Sequence, residues 1–157
     1  MKKITLAFCG LALMLCCAAA SPARAQGGGV AKGPDPSVVK DPELEKEMKH
    51  NLEVARHYFK MKKAYRAAIT RCEEIIAGYP QFSRLDEALY IAGMSSLYLS
   101  ENRGKQKADI PADKLREDAR TYLSQLVSEF PDSDFRKDAE DTLRPLGGAK
   151  PKEETRQ

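Results

Sequence analysis

Ala68-Ile69-Thr70-Arg71-Cys72-Glu73-Glu74-Ile75-Ile76-Ala77-Gly78-Tyr79-Pro80 recurs 51 residues later as Ala119-Arg120-Thr121-Tyr122-Leu123-Ser124-Gln125-Leu126-Val127-Ser128-Glu129-Phe130-Pro131. In each copy an Ala opens an apolar stripe, two aliphatic residues follow seven and eight positions on, and an aromatic-Pro pair closes the segment. A further Ala follows each Pro at the same distance, Ala88 and Ala139. One offset kept across several landmarks identifies two copies of a supersecondary unit, which must stack to bury its apolar face.

Working outward, the apolar spacing predicts five helices and no strand. Asp41-Pro42-Glu43 opens the first, a capping residue followed by Pro at the first helical position. Leu44, Met48, Leu52, Ala55 and Phe59 then share one face. The second carries Tyr65, Ala68, Ile69, Cys72, Ile75 and Ile76, and Gly78 reads as its stop signal. Ser83 is the expected cap of the third, with Ala88, Leu89, Ala92, Leu97 and Tyr98 on its stripe. Asn102–Asp109 breaks the pattern around Gly104, and Pro111 starts the fourth, with Leu115, Ala119, Tyr122, Leu123, Leu126, Val127 and Phe130 inward. Asp132 or Ser133 is the expected cap of the fifth, which holds Phe135, Ala139 and Leu143 until Pro145.

Residues 1–25 read as a signal peptide: Lys2 and Lys3, an apolar run from Ile4 to Ala20, and a small-x-small site at Ala23-Arg24-Ala25. Cys9, Cys16 and Cys17 lie in this segment and admit a second outcome, a lipidated cysteine. Cys16 follows Leu13-Met14-Leu15 and Cys17 follows Met14-Leu15-Cys16, without the small preceding residue that lipoprotein cleavage needs, so free export is favoured. Residues 26–41 are rich in Gly and Pro and read as a flexible linker, residues 42–145 as the helical domain, and residues 146–157 as a disordered tail.

The chain has 26 basic and 23 acidic residues. Removing residues 1–25 takes away Lys2, Lys3 and Arg24 and no acid, so the processed chain is formally neutral. That excludes a global nucleic-acid field. Cys72 alone survives processing, so no intramolecular disulfide forms in an oxidising compartment. The expected location is the periplasm, with contact to the outer membrane only through a lipid anchor or a partner.

The repeated unit resembles the tetratricopeptide repeat: small residues where paired helices approach, then a Pro after the second helix. The fold expected is all-α, two tetratricopeptide-like helical pairs plus a fifth capping helix. The usual period is about 34 residues, so about 17 are extra; Ser100–Glu117 can hold them as loop and as longer helices. In the first pair, either Tyr58 or Phe59 fills the aromatic position before the turn. Ala68, Cys72, Tyr79, Pro80 and Ala88, matched by Ala119, Leu123, Phe130, Pro131 and Ala139, are the structural repeat positions. The two matching stretches are expected to be inner helices that shield one another and leave a curved face for a guest polypeptide.

Tyr65-Arg66-Ala67-Ala68-Ile69, continuing to Tyr79-Pro80-Gln81-Phe82-Ser83, resembles the first repeat of the BamD type of outer-membrane assembly factor. Ala119–Leu143, with Phe130-Pro131-Asp132-Ser133 between its helices, resembles the second, and the polar insert before Ala119 matches the long loop there. The resemblance covers roughly residues 50–145. It implies a non-enzymatic exported scaffold whose partners are proteins, either outer-membrane assembly machinery or unfolded outer-membrane clients. The C-terminal repeats which that family uses to dock its other subunits have no counterpart here, so contact with extended client segments is the role implied. The alternative is a periplasmic adaptor of a Tol-Pal or peptidoglycan-linked complex, whose coordinator protein has similar aromatic-Pro repeats.

In such an architecture the first helix of each pair lines the concave surface. His50, Glu53, His57 and Lys60 recur there at three and four residues and, with Arg56, read either as a surface for a client's carboxylate or carbonyls or as an ordinary solvated face. His50 and His57 stand two turns apart, about 10.5 Å along the axis, too far to share one ion without Glu53 and a further ligand. No metal, cofactor or catalytic residue is therefore expected. Tyr90, Met94 and Tyr98 share a face of the third helix, as groove anchors or as packing against the first. Cys72, amid aliphatic residues, reads as a small core hydrophobe, with a nucleophile or sensor as the sharper alternative. Gly93 inside a helix costs about 1 kcal/mol relative to Ala, which close approach of a neighbouring helix would explain.

Overall fold

The computed structural model describes residues 41–151. The signal peptide, nearly all of the linker and the end of the tail, as read above, lie outside the described residues. Five α-helices follow one another: α1 Pro42–Arg56, α2 Tyr65–Gly78, α3 Leu85–Ser100, α4 Ala112–Glu129 and α5 Arg136–Leu143. Among the described residues there is no strand. The fold is all-helical, as the sequence spacing predicts, and tetratricopeptide-like, as the resemblance of the repeated unit implies.

Helix α1 begins as expected: the Asp41 carboxylate accepts from the N–H groups of Glu43 and Leu44 at 2.9 and 3.3 Å, with Pro42 at the first helical position. Its end differs from expectation. Residues His57–Lys62 form a π-helical turn, closed by Lys63 in the left-handed region at φ 53°. The wider turn lets two consecutive aromatics reach inward. Tyr58 and Phe59 both pack on the core, so the choice between them does not arise.

The ends of α2 and α4 show what the aromatic-Pro pairs do. Gly78 is the last residue of α2, not a left-handed stop after it, and it is absent from the positive-φ residues. The chain leaves the helix at Tyr79 (φ −147°, ψ 78°) and likewise at Phe130 (φ −124°, ψ 70°). A residue preceding Pro is pushed out of the α region by the Pro ring, so Pro80 and Pro131 end both helices by the same steric device. The aromatic side chain then folds back on the core, Tyr79 fully and Phe130 in part.

Two expected caps are corrected. Helix α3 starts after Arg84 with no side-chain cap, because the Ser83 hydroxyl donates instead to Glu45 of α1. Helix α5 starts after Phe135; Asp132 caps nothing, and Ser133 accepts from the Phe135 N–H at 3.2 Å while donating to Asp86 of α3 at 2.6 Å. Both serines tie one repeat to the next.

Helix α3 is the centre of the domain. Its buried residues, from Leu85 and Ala88 through Ile91 and Met94 to Leu99, occupy all sides, as befits a helix surrounded by others. It packs on α1, α2 and α4. The two repeated stretches therefore do not chiefly shield one another: α2 and α4 flank α3, which covers the apolar face of each. They meet at the Tyr122 hydroxyl, which donates to Glu73 at 3.0 Å. Close approach is bought by small residues. Ala68, Ala88, Ala92, Ala119 and Ala139 are fully buried, and a Cβ on Gly93 would lie 2.7 Å from the Leu123 side chain.

The insert between α3 and α4 is stitched back onto the turn before α2. Lys105 N–H donates to the Lys63 carbonyl at 3.2 Å, and the Arg66 N–H donates to Gln106 Oε1 at 3.0 Å. Gly104 (φ 92°) sits so close that a Cβ would approach the Lys63 carbonyl to 2.5 Å. Tyr65, Ile69, Leu99 and Leu115 form a second small core beneath it. Residues 147–150, which composition assigns to the tail, run along α4 instead: Arg120 donates to the Gly148 carbonyl at 2.8 Å, and the Lys150 N–H donates to Ser124 Oγ at 2.8 Å.

Candidate functional site

The first helix of each pair (α1, α3) and the fifth helix α5 are joined in a row by side chains. Between α1 and α3, Arg56 donates Nε and Nη2 to the two oxygens of Glu87 at 2.5 and 2.6 Å. Between α3 and α5, Tyr90 donates its hydroxyl to Asp138, its ring stacks on Phe135 at 4.8 Å, and Thr142 contacts the Met94 sulfur at 3.8 Å. The row contains Arg56, Tyr90 and Met94, three of the residues that the sequence pattern offers as candidates for partner binding.

On α1, Met48, Leu52 and Ala55 turn inward, which leaves His50 and Glu53 exposed along the helix, and His57 and Lys60 exposed on the π-helical turn that continues it. Arg56 stands at the border of the two faces. Its guanidinium is held above its ordinary pKa by the hydrogen bond it donates to Glu87 and by the charges of Glu87 and Glu53, against the opposing effect of burial. The charge of Arg56 is thus committed inside the fold. Lys60 lies close enough to contribute to the field at Glu87. The structure so brings Arg56, Arg84 and Lys60 around the Glu87 carboxylate, with Glu53 beside Arg56; the His57 ring is tilted against Tyr58 at 6.3 Å.

Glu87 is the residue that sequence reasoning missed. It is 5 % exposed, yet it stays charged. Burial alone would raise its pKa. The Arg56 hydrogen bond, with the charges of Arg56, Arg84 and Lys60, outweighs burial and holds the carboxyl below its usual range. Arg84 Nη2 reaches the same carboxylate at 2.6 Å. An Asp-Glu pair in the first turn of a helix reads only as a favourable match to the helix dipole; the partner 31 residues away leaves no local sign.

Tyr90 and Met94 meet α5 and belong to the core that Met48, Leu52 and Ala55 of α1 share; Tyr98 meets α1's extension, stacked on Phe59 at 6.0 Å and tilted on Tyr65 at 5.2 Å. Burial and the Asp138 hydrogen bond push the Tyr90 hydroxyl well above its ordinary pKa. Cys72 is fully buried, and burial, then Glu73 and Glu87, push its thiol far up, conditions that suppress the thiolate. Among the described residues, no three His, Cys, Asp or Glu side chains are placed to hold a metal ion, and no helix is long and apolar enough to cross a membrane.

What this arrangement offers chemically is an exposed face of mixed charge on a packed apolar support. A family model described as YfiO, outer membrane lipoprotein, matches residues 46–149, about two thirds of the chain. No curated protein and no solved structure matches it.

Proposed function

Since this chain belongs to the YfiO family of outer membrane lipoproteins, we propose that it is an envelope scaffold that holds extended protein segments along the row α1–α3–α5, in the assembly of outer-membrane β-barrel proteins. The observation that carries this reading is the row itself. Arg56–Glu87 and Tyr90–Asp138 fix three helices side by side, and the exposed stripe of His50, Glu53, His57 and Lys60 runs along its first member and the π-helical turn that continues it. An extended client segment presents unpaired backbone carbonyls and N–H groups to such a stripe, and the helices need not move to receive it. The resemblance of both repeats to the BamD type supports the same assignment.

The family's lipoprotein character favours an anchor at Cys16 or Cys17 over free export. The intact mass of the chain extracted from envelopes distinguishes the two: an acylated cysteine supports the anchor, and a start at Gln26 removes it. The scaffold role is tested by crosslinking in envelopes with a photoreactive residue at His57, followed by identification of the crosslinked proteins. Assembly-machinery subunits or β-barrel clients are expected. Recovery of peptidoglycan-linked or Tol-Pal-type components in their place would overturn the assembly role.

A further inference from the structure

We propose a second contact surface at the end of the domain where the π-helical turn meets the insert, and assign it to an anionic phospholipid membrane. Two segments, residues 57–66 and 101–111, are stitched together there by the Lys105–Lys63 and Arg66–Gln106 hydrogen bonds. Between them they carry seven lysines and arginines against Glu101 and Asp109.

The pairing of these charges is one-sided. Each acid at this end has a cation: Glu101 with Arg103, Asp109 with Arg66, Asp113 with Arg116, Asp118 with Lys114 and Glu117 with Lys150. Both arginines of the two segments are consumed, Arg66 by Asp109 and Arg103 by Glu101 and by the Tyr98 ring 3.9 Å away. Lys62, Lys63, Lys105 and Lys107 are all exposed and have no carboxylate within ion-pair distance among the described residues. Beside them stands Met61, 72 % exposed, the one large apolar side chain left in water among the described residues.

The chemistry favours a membrane over an acidic peptide. Recognition of individual carboxylates uses the planar fork of arginine, and here the arginines are occupied. What remains is four exposed point charges around one exposed apolar side chain. That is the form in which a surface of anionic headgroups is met, lysines at headgroup level and the apolar residue entering the acyl boundary. The inference rests on the family reading to the extent that the chain works beside a membrane, but it uses none of the row α1–α3–α5.

The test is partition of the processed chain, purified from envelopes, onto phosphatidylcholine vesicles with and without phosphatidylglycerol. The ratio between the two is read, because an acyl anchor contributes to both alike. Each lysine near such a surface contributes about fivefold. Anionic lipid is expected to raise partition by several hundredfold in low salt, high salt to cancel the rise, and Lys62→Gln/Lys105→Gln/Lys107→Gln to lower it about a hundredfold with an unchanged circular dichroism spectrum. Met61→Ser should lower partition severalfold and leave the salt dependence intact. Equal partition onto both vesicles, or an undiminished ratio in the triple variant, overturns the proposal. So does vesicle indifference accompanied by binding of polyglutamate that the triple variant abolishes, which assigns the lysines to a protein. Client-peptide binding by the same triple variant separates this outcome from failure of the scaffold role.

Discussion

Arg56 and Glu87 form a two-pronged ion pair, at 2.5 and 2.6 Å, that joins α1 to α3 across 31 residues of chain. The pair sits where one repeat meets the next, so it couples the first hairpin to the central helix. Repeat proteins gain much of their stability at such junctions, and a domain of five helices has few of them.

The pair gives stability a pH signature. The folded-state pKa of Glu87 is lowered, so its contribution is fully present above the unfolded-state value of about 4.3 and is lost as pH falls through the folded value. Glu87→Gln should destabilise the domain by roughly 1–3 kcal/mol near neutrality. Its melting temperature should also fall less steeply than that of the parent as the pH drops below about 4.3. Melting curves across that window check this; parallel pH dependences would remove Glu87 as the coupled group.

The repeat, the helices and the stripe were legible because they are local: spacing at three and four residues carries them, and Ala68, Ala119, Ala88 and Ala139 mark the close approaches that the structure contains. What could not be read is long-range. Neither Ser83 nor Ser133 caps its helix through the bond expected of it, because each hydroxyl finds a carboxylate on another repeat. Gly78 looked like a stop signal, yet Pro80 acts first, through the residue it follows. The π-helical turn left no pattern of its own, and without it Tyr58 and Phe59 compete for one place.

The glycines of α2 and α3 should respond oppositely to alanine. At Gly93 a Cβ would lie 2.7 Å from the Leu123 side chain, so Leu123 must shift or α3 and α4 must separate, and overpacking of this kind costs roughly 1–3 kcal/mol. The helix-propensity gain of about 1 kcal/mol offsets part of it. At Gly78 a Cβ meets nothing within 4 Å and the backbone is helical, so Gly78→Ala should stabilise by up to about 1 kcal/mol. Urea unfolding of both variants is the check. A stabilised Gly93→Ala would mean that the α3–α4 contact yields more readily than the geometry states.

Tyr79 holds a hydroxyl that the fold does not use. The residue is buried, and its Oη has no hydrogen-bond partner among the described residues. The equivalent position in the second repeat is Phe130, which does the same steric work before Pro131 without the oxygen. An unsatisfied buried hydroxyl costs about 1–3 kcal/mol, so Tyr79→Phe should be neutral or stabilising, and Tyr79→Ala should cost about 3–5 kcal/mol from lost burial and the cavity together. A clear loss of stability in Tyr79→Phe would reveal a partner for the hydroxyl.

Binding and stability should separate along α1. Glu53, His57 and Lys60 are exposed, while Arg56 is tied to Glu87. Surface substitutions away from packed features change stability by about 0.5 kcal/mol or less. The triple change Glu53→Ala/His57→Ala/Lys60→Ala should therefore leave the melting temperature nearly unchanged, while weakening binding of an extended β-barrel client peptide about tenfold, near 1.4 kcal/mol. Arg56→Ala should show the reverse order: a loss of stability first, from a buried carboxylate left with Arg84 alone, and weaker binding only where the fold is lost. Fluorescence anisotropy with a labelled peptide, run beside thermal melts, measures both quantities on the same samples. Unchanged peptide affinity in the triple variant would move the client away from this stripe, because it removes both charge signs from the surface beside the ion pair that fixes α1 to α3.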